Sequence, residues 1–175
     1  GQLRLARIQR AAENMQSLIE ALLWISREDS PHAMPQVDLA DLTRDLSLQL
    51  ADQIKRKPLE LEFQNLATYP RSVPKGMAAS VVVYLLVRDV NHTDKGLIEI
   101  ILRDDRLEIR DSGQGIPVED IAHIFERRYR GSQSRGQGLG LYIVKRICGH
   151  LNWQVSVVST PGHGTCFTLE FPSSA

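Results

Sequence analysis

The sequence predicts an α+β domain preceded by a long helix, and three observations carry that expectation. Residues 3–27 repeat apolar side chains every seven positions. Residues 37–175 mix long apolar stripes of helical period with short segments that alternate apolar and polar. Four of the alternating segments fall in two adjacent pairs, each closed by a turn, which is the pattern of hairpins. At 175 residues and 42% hydrophobic content the chain can bury a core, and it is not compositionally disordered.

In the first helix Ile8, Met15 and Leu22 form one heptad series and Ala11, Leu18 and Ile25 the other, with Arg, Gln and Glu mostly elsewhere. Ile19, Leu23 and Trp24 widen the stripe, which suits a helical bundle or dimer better than a thin seam, with an ordinary core helix as the alternative. Pro31 and Pro35 in the polar stretch from Arg27 to Gln36 break the helix and read as a linker. Val37-Asp38-Leu39 opens as a short strand or as the lead into a helix that Asp38 or Asp41 caps. Leu39, Leu42, Leu46, Leu50 and Ile54 carry that helix to about Lys55, and Pro58 stops it. Leu59–Phe63 alternates as a strand, and Pro70–Lys75 reads as a loop. Met77 to about Asn91 is apolar all round, as in a buried helix, although Val81-Val82-Val83 has strand propensity. Leu97–Leu102 and Arg106–Arg110 form the first hairpin, around Asp104-Asp105. A short helix is expected over Val118–Phe125 and an amphipathic one over Leu139–Leu151, ended near Gly149. Trp153–Val158 and Thr165–Phe171 form the second hairpin, around Pro161-Gly162-His163-Gly164.

A formal net charge of zero argues against a nucleic-acid binder, which carries a basic excess. Cys148 and Cys166 form no CxxC pair and read as buried reduced thiols. No run of about 18 apolar residues occurs, and no signal peptide is visible. The chain opens in mid-pattern at Gly1, as expected of a piece of a longer protein.

The chemistry concentrates between Asp111 and Gly140. Asp111-Ser112-Gly113-Gln114-Gly115-Ile116-Pro117 follows a strand. A carboxylate there can accept from an exocyclic amine such as that of adenine, and glycines admit a ligand close to the backbone; Asp-Ser-Gly is also ordinary turn chemistry. Gly136-Gln137-Gly138-Leu139-Gly140 opens a helix, where free amides and the positive helix end suit phosphate. It does not follow a strand, which disfavours a Rossmann reading, and the phosphate-loop Gly-Lys-Ser/Thr signature is missing. Between the two turns Arg127, Arg128, Arg130 and Arg135 place four guanidinium groups in nine residues without an acid, either a phosphate-binding mobile lid or a solvated basic loop.

Taken together these segments resemble the ATP-binding catalytic domain of sensor histidine kinases, within the ATPase group that also holds Hsp90, gyrase and MutL. Asp111–Gly115 is similar to the first glycine box of that family, Phe125–Arg130 to its phenylalanine box, Gly136–Leu141 to its second glycine box, and Gly162-His163-Gly164-Thr165 to its final glycine-threonine element. The resemblance covers residues 37–172 in the expected order, and residues 3–27 resemble the second helix of the dimerisation and phosphotransfer hairpin. It implies a Bergerat-type two-layer sandwich, a mixed sheet of about five strands with helices on one face. It divides the chain into a partial dimerisation helix (1–28), a linker (29–36) and a catalytic domain (37–175). It implies ATP contacts at Asp111, Gly113, Gly115, Ile116, Tyr129, Arg130, Arg135, Gly136, Gly138, Leu139, Gly140 and Thr165.

One element departs from the family. The asparagine box places Asn at two helix positions four apart, then Ala, ending at Thr. Aligned on His92-Thr93, those positions hold Tyr84, Arg88 and Asp89. The second Asn normally holds Mg²⁺, and a guanidinium has donors but no acceptor, so no metal ligand is assigned there and magnesium is in doubt. Several readings stay open: Asn91 takes over part of that role, Arg88 contacts phosphate in place of the metal, Arg88 with Asp89 and Tyr84 closes the pocket, or Arg88 pairs with a nearby acid. Arg88 and Asn91 join the ATP-contact candidates. None of His32, His92, His123, His150 or His163 sits in a phosphoacceptor motif, and the resemblance places that histidine upstream of residue 3. The expected function is therefore ATP binding and γ-phosphoryl transfer to a histidine outside this chain, signalling to a response regulator receiver domain. The protein would be a homodimer through residues 3–27 and the cytoplasmic portion of a bacterial inner-membrane sensor. The alternative is a degenerate regulatory or phosphatase-biased module with weak or metal-independent ATP binding.

Overall fold

The computed structural model describes residues 35–126 and 140–173. The helix expected over 3–27, the linker before Pro35 and the arginine-rich segment from Arg127 to Leu139 lie outside the described residues.

The chain enters through a short strand, β1 (Gln36–Asp38), and turns at once into α1 (Leu39–Gln53). Asp38 caps that helix, its carboxylate accepting from Asp41 N at 3.1 Å. Inside α1, Thr43 and Ser47 are buried; the Thr43 hydroxyl donates to Leu39 O and the Ser47 hydroxyl to Thr43 O, each at 2.7 Å, so both polar groups are satisfied against the core. β2 (Leu59–Asn65) follows. The expected loop over Pro70–Lys75 contains a strand instead, β3 (Ser72–Pro74), antiparallel to β1 with Val37 opposite Val73. Its prolines hid it: Pro74 stands at the strand's last position on a two-stranded sheet, where a missing donor is tolerated.

α2 (Lys75–His92) is the buried helix. Val81, Val82 and Leu85 are fully buried and Leu86 nearly so. Burying each such side chain stabilises by about 1.5–3 kcal/mol, which outweighs the few tenths that a β-branched residue costs in a helix. β4 (Gly96–Leu102) and β5 (Arg106–Asp111) form the first hairpin, with Ile100 opposite Ile109. The helix expected over Val118–Phe125 is only the single turn α3 (Val118–Ile121), continued by turns. α4 (Gly140–Leu151) runs through Gly149. Its stop is Asn152, which takes a positive φ of 58° and lets Trp153 N donate to Cys148 O at 2.8 Å. β6 (Gln154–Thr160) and β7 (Gly164–Glu170) form the second hairpin.

Five strands make one sheet in the order β2-β4-β5-β7-β6, parallel only between β2 and β4, where α2 lies on the crossover. The sheet is thus mixed, as expected. Ile98, Ile100, Leu107, Ile109, Phe167 and Leu169 line its inner face, where α1 packs on β2, α2 on β5 and α4 on β6. On the outer face Glu108 is only 4% exposed, and Arg103, Arg106 and Arg110 surround it with nitrogens at 3.3, 2.9 and 2.7 Å. Three guanidinium groups offset the desolvation of that carboxylate. Cys148 is buried, which pushes its thiol up to about 12, while Cys166 is only half-buried; both are free.

Candidate nucleotide site

Asp111 is the last residue of β5, and the register sets it opposite Thr165 on β7 and Ile98 on β4. Its Oδ1 accepts from Gly113 N at 2.9 Å, a two-residue turn that fixes the carboxylate's orientation. The turn meets the end of α2. A Cβ on Gly113 would lie 2.5 Å from His92 O and 2.8 Å from Thr93 Oγ1, so only glycine lets strand end and helix end approach this closely.

The turn also interlocks with the β6–β7 hairpin. At Gly164 φ is +124° and a Cβ would overlap Asp111 O, so backbone stands where a side chain would be. Gly162 N donates to Gln114 O at 2.8 Å. Ser159 Oγ accepts from Ile116 N at 2.7 Å, donates to Gly164 O at 3.0 Å and meets Thr165 Oγ1 at 2.9 Å. Asp111, Gly113, Gly115, Ile116 and Thr165 therefore converge. Ser159, which joins them, was missed: it sits in an alternating strand and carries no motif signal of its own.

The facing wall is α2. Tyr84 packs on Gly140 at the first turn of α4, where a Cβ would overlap its hydroxyl and ring edge. Burial raises the Tyr84 phenol above its ordinary value, and the charge of Arg88 pulls the other way. Among the described residues Arg88 makes no ion pair, and its guanidinium lies 5.9 Å from the centre of the Phe167 ring, so, of the open readings, the one that paired it with an acid finds no partner there. Asn91 is exposed near the end of α2. Tyr129, Arg130, Arg135, Gly136, Gly138 and Leu139 lie outside the described residues.

Asp89 is 1% exposed and Thr93 is fully buried, and Asp89 Oδ2 and Thr93 Oγ1 have no hydrogen-bond partner among the described residues. Burial first, then the charge of Asp111 and the bond to it, hold the Asp89 carboxyl well above the usual carboxylate range; Arg88 opposes this. The sequence marked Asp89 as a departure from Ala and as one reading of how Arg88 and Tyr84 close the pocket, and an acid amid Val87, Val90 and Leu86 is the signal that pointed further.

These residues fit the base of a nucleotide: a fixed carboxylate, buried polar atoms without partners, and a glycine cradle. They do not fit a divalent cation at the Arg88 position, because a guanidinium repels it and offers no lone pair. No group of three or more His, Cys, Asp or Glu that could hold a metal occurs among the described residues.

A family described as histidine kinase-, DNA gyrase B-, and HSP90-like ATPase matches residues 78–175. The sensor protein kinase PmrB of Pseudomonas aeruginosa is 32% identical over 154 residues, covering 82% of this chain and 32% of that protein. The adaptive-response sensory kinase SasA of Parasynechococcus marenigrum is 29% identical over 193 residues, covering 98% of this chain and 49% of that protein. This chain thus spans less than half of either relative. Among solved structures, full-length ShkA in complex with AMPPNP superposes with a TM-score of 0.73 at 22% identity, covering 98% of this chain and 38% of that one. The cytoplasmic segment of the histidine kinase QseC superposes with a TM-score of 0.67 at 20% identity, covering 95% of both chains. At these identities the superpositions speak to the fold. The regulatory-module alternative gains no support from these matches.

Proposed function

Because the chain belongs to the histidine kinase-, DNA gyrase B- and HSP90-like ATPase family, we propose that it is the nucleotide-binding part of a sensor histidine kinase, cytoplasmic in the whole protein. The observation that carries the reading is the Asp111–Gly113 turn, held between the end of α2 and the β6–β7 hairpin beside the partnerless buried Thr93 Oγ1. Asp111 accepts from the exocyclic amine of adenine, and Thr165 and Ser159 hold that turn in place. The amides opening α4 and the arginines at 127, 128, 130 and 135 offset the phosphate charge.

The γ-phosphoryl group passes to an imidazole nitrogen on a segment outside this chain. The bond from the bridging β–γ oxygen to phosphorus breaks, the nitrogen–phosphorus bond forms, and ADP leaves. The phosphoryl group then passes to an aspartate of a response regulator receiver domain, in a homodimer assembled through residues 3–27. This domain's contribution is positioning and charge neutralisation.

Arg88 supports a site in which a fixed side-chain cation does part of the work that Mg²⁺ does elsewhere. Calorimetric titration of AMPPNP into wild type and Asp111→Ala, with Mg²⁺ and with EDTA, tests both points. The reading expects wild type to bind in EDTA and Asp111→Ala to lose binding. Equal binding by the two proteins overturns the role of Asp111, and strictly Mg²⁺-dependent binding overturns that of Arg88.

A further inference from the structure

We propose that β6, the free edge of the central sheet, pairs antiparallel with β6 of a second copy of this chain, about a twofold axis through Val157. The contact goes beyond the nucleotide reading and needs no nucleotide to form.

The sheet has two edges, and they differ. β2, at one end of the strand order, exposes Glu60 and Glu62. Charges of one sign along an edge repel a second copy laid against it. β6, at the other end, reads Gln154-Val155-Ser156-Val157-Val158-Ser159-Thr160, with no charge and no proline. All of its residues stay in register with β7, so no bulge turns the edge away. Among the described residues no strand pairs with its outer side. Val158 is 72% exposed near its middle. A long, uncharged edge rich in β-branched residues is a template for another strand.

A twofold axis through Val157 uses the whole of β6. Val155 then stands opposite Ser159 on the inner face, and Ser156 opposite Val158 on the outer face. A shift by one residue is excluded, because it sets inner side chains opposite outer ones. The two sheets join edge to edge with the helices of both copies on the same side. The beginning of one β6 therefore meets the end of the other.

What flanks those two ends is complementary in shape and charge. Beside the beginning lies a groove of about 410 Å³ between α4 and the strand, lined by Lys145, Gly149, Trp153, Gln154 and Glu170 among others. Gly149 leaves its helical wall low, since a Cβ there would meet nothing within 4 Å. Beside the end, the turn Pro161-Gly162-His163 is exposed throughout, and α3 packs on β6 with Glu119 exposed. Continuing the register sets Pro161 of the second copy opposite Trp153, so the exposed turn enters the groove. A proline is tolerated there because it lies past the last residue of the strand. The same register brings Lys145 of one copy toward Glu119 of the other, twice by symmetry. Neither residue makes an ion pair within the chain among the described residues. A second copy supplies the strand, the turn and the opposite charge together, and this makes it the occupant.

A strand edge with two exposed ion pairs gives a weak association, so the test traps it covalently. It uses the full chain with Cys166→Ser, Cys148 being buried. Ser156→Cys/Val158→Cys in that background sets thiol opposite thiol in the proposed register. Each single substitution leaves its thiol facing Val158 or Ser156. Under mild oxidation the double variant should give a covalent dimer and the two singles should give little. Association through residues 3–27 alone favours neither, so it does not imitate the result.

Within the double-cysteine protein, Lys145→Glu should slow cross-linking by at least about tenfold, from two exposed pairs at about threefold each. Adding Glu119→Lys should restore the rate. Gly149→Leu, which the free chain accommodates, should fill the groove and abolish the cross-link. Circular dichroism first establishes that each variant folds. Equal yields from the double and single variants overturn the proposal, as does a charge swap that fails to restore the rate, or a Gly149→Leu protein that cross-links unimpeded. A folded double variant that gives no covalent dimer also overturns it, and leaves the edge to an extended segment of another protein.

Discussion

On the β5 side of the site, Asp111, Gly113, Gly115 and Thr165 are held by backbone. Strand register, glycine-permitted close approach and the hydrogen bonds of Ser159 set their places. On the α2 side, Tyr84, Arg88 and Asp89 are held by one rigid helix, and what differs is the side chain at each position. The contrast teaches which wall of such a site tolerates substitution. A wall made of interlocked backbone fails if one Cβ is added, whereas a helix accepts new side chains one at a time and changes chemistry without changing path.

The contrast can be broken first at Gly164. Adding a Cβ there drives it into Asp111 O at a φ of +124°. Gly164→Ala should destabilise by about 3 kcal/mol, combining overpacking with left-handed strain, and should abolish nucleotide binding. Urea unfolding measures it; an unchanged midpoint would show that the hairpin and the turn are not locked. Ser159→Ala is the next largest. It leaves Ile116 N without its 2.7 Å acceptor and should cost about 2 kcal/mol in the same assay.

The α2 wall should respond in affinity rather than stability. Arg88→Asn removes a cation and supplies an amide oxygen, so Mg²⁺ should strengthen ATP binding by about tenfold more than it does in wild type, or about 1.4 kcal/mol. Thermal melts should move little. A variant that binds identically with and without the metal sinks the idea.

The smallest effect belongs to Asp104, remote from both walls. Hydrogen bonds from Thr68, and a further one from Tyr69 N, hold its carboxyl below the ordinary value. Its stabilising contribution is present above the unfolded value of about 3.9 and is lost as pH falls through the lower folded value. The melting temperatures of wild type and Asp104→Asn should therefore differ slightly at pH 7 and converge as the pH falls below both values.

Much of the fold was legible because periodicity reports burial directly. Leu39, Leu42 and Leu50 on α1, and Ile98, Ile100, Leu107 and Ile109 on the hairpin, are buried as their spacing implied. β3 was not legible, because three residues bounded by prolines carry no alternation. The end of α4 at Leu151 was legible, but its stop is the left-handed turn at Asn152 rather than Gly149. In the site, Asp111 and the glycines were readable from local chemistry. Ser159 and the Asp89–Asp111 contact were not, since they join residues 43 and 22 positions apart and depend on which strand lies beside which.

The small β1–β3 sheet has a mechanical consequence. Leu39 N donates to Arg71 O at 2.8 Å and Lys75 N to Pro35 O at 2.9 Å, so the point where the preceding chain joins the domain is stapled to the first residue of α2. A twist or pull arriving at Pro35 is delivered to the base of the helix that carries Tyr84, Arg88 and Asp89. It need not cross the central sheet, so the leading segment has a short lever onto the helix face that carries these three side chains.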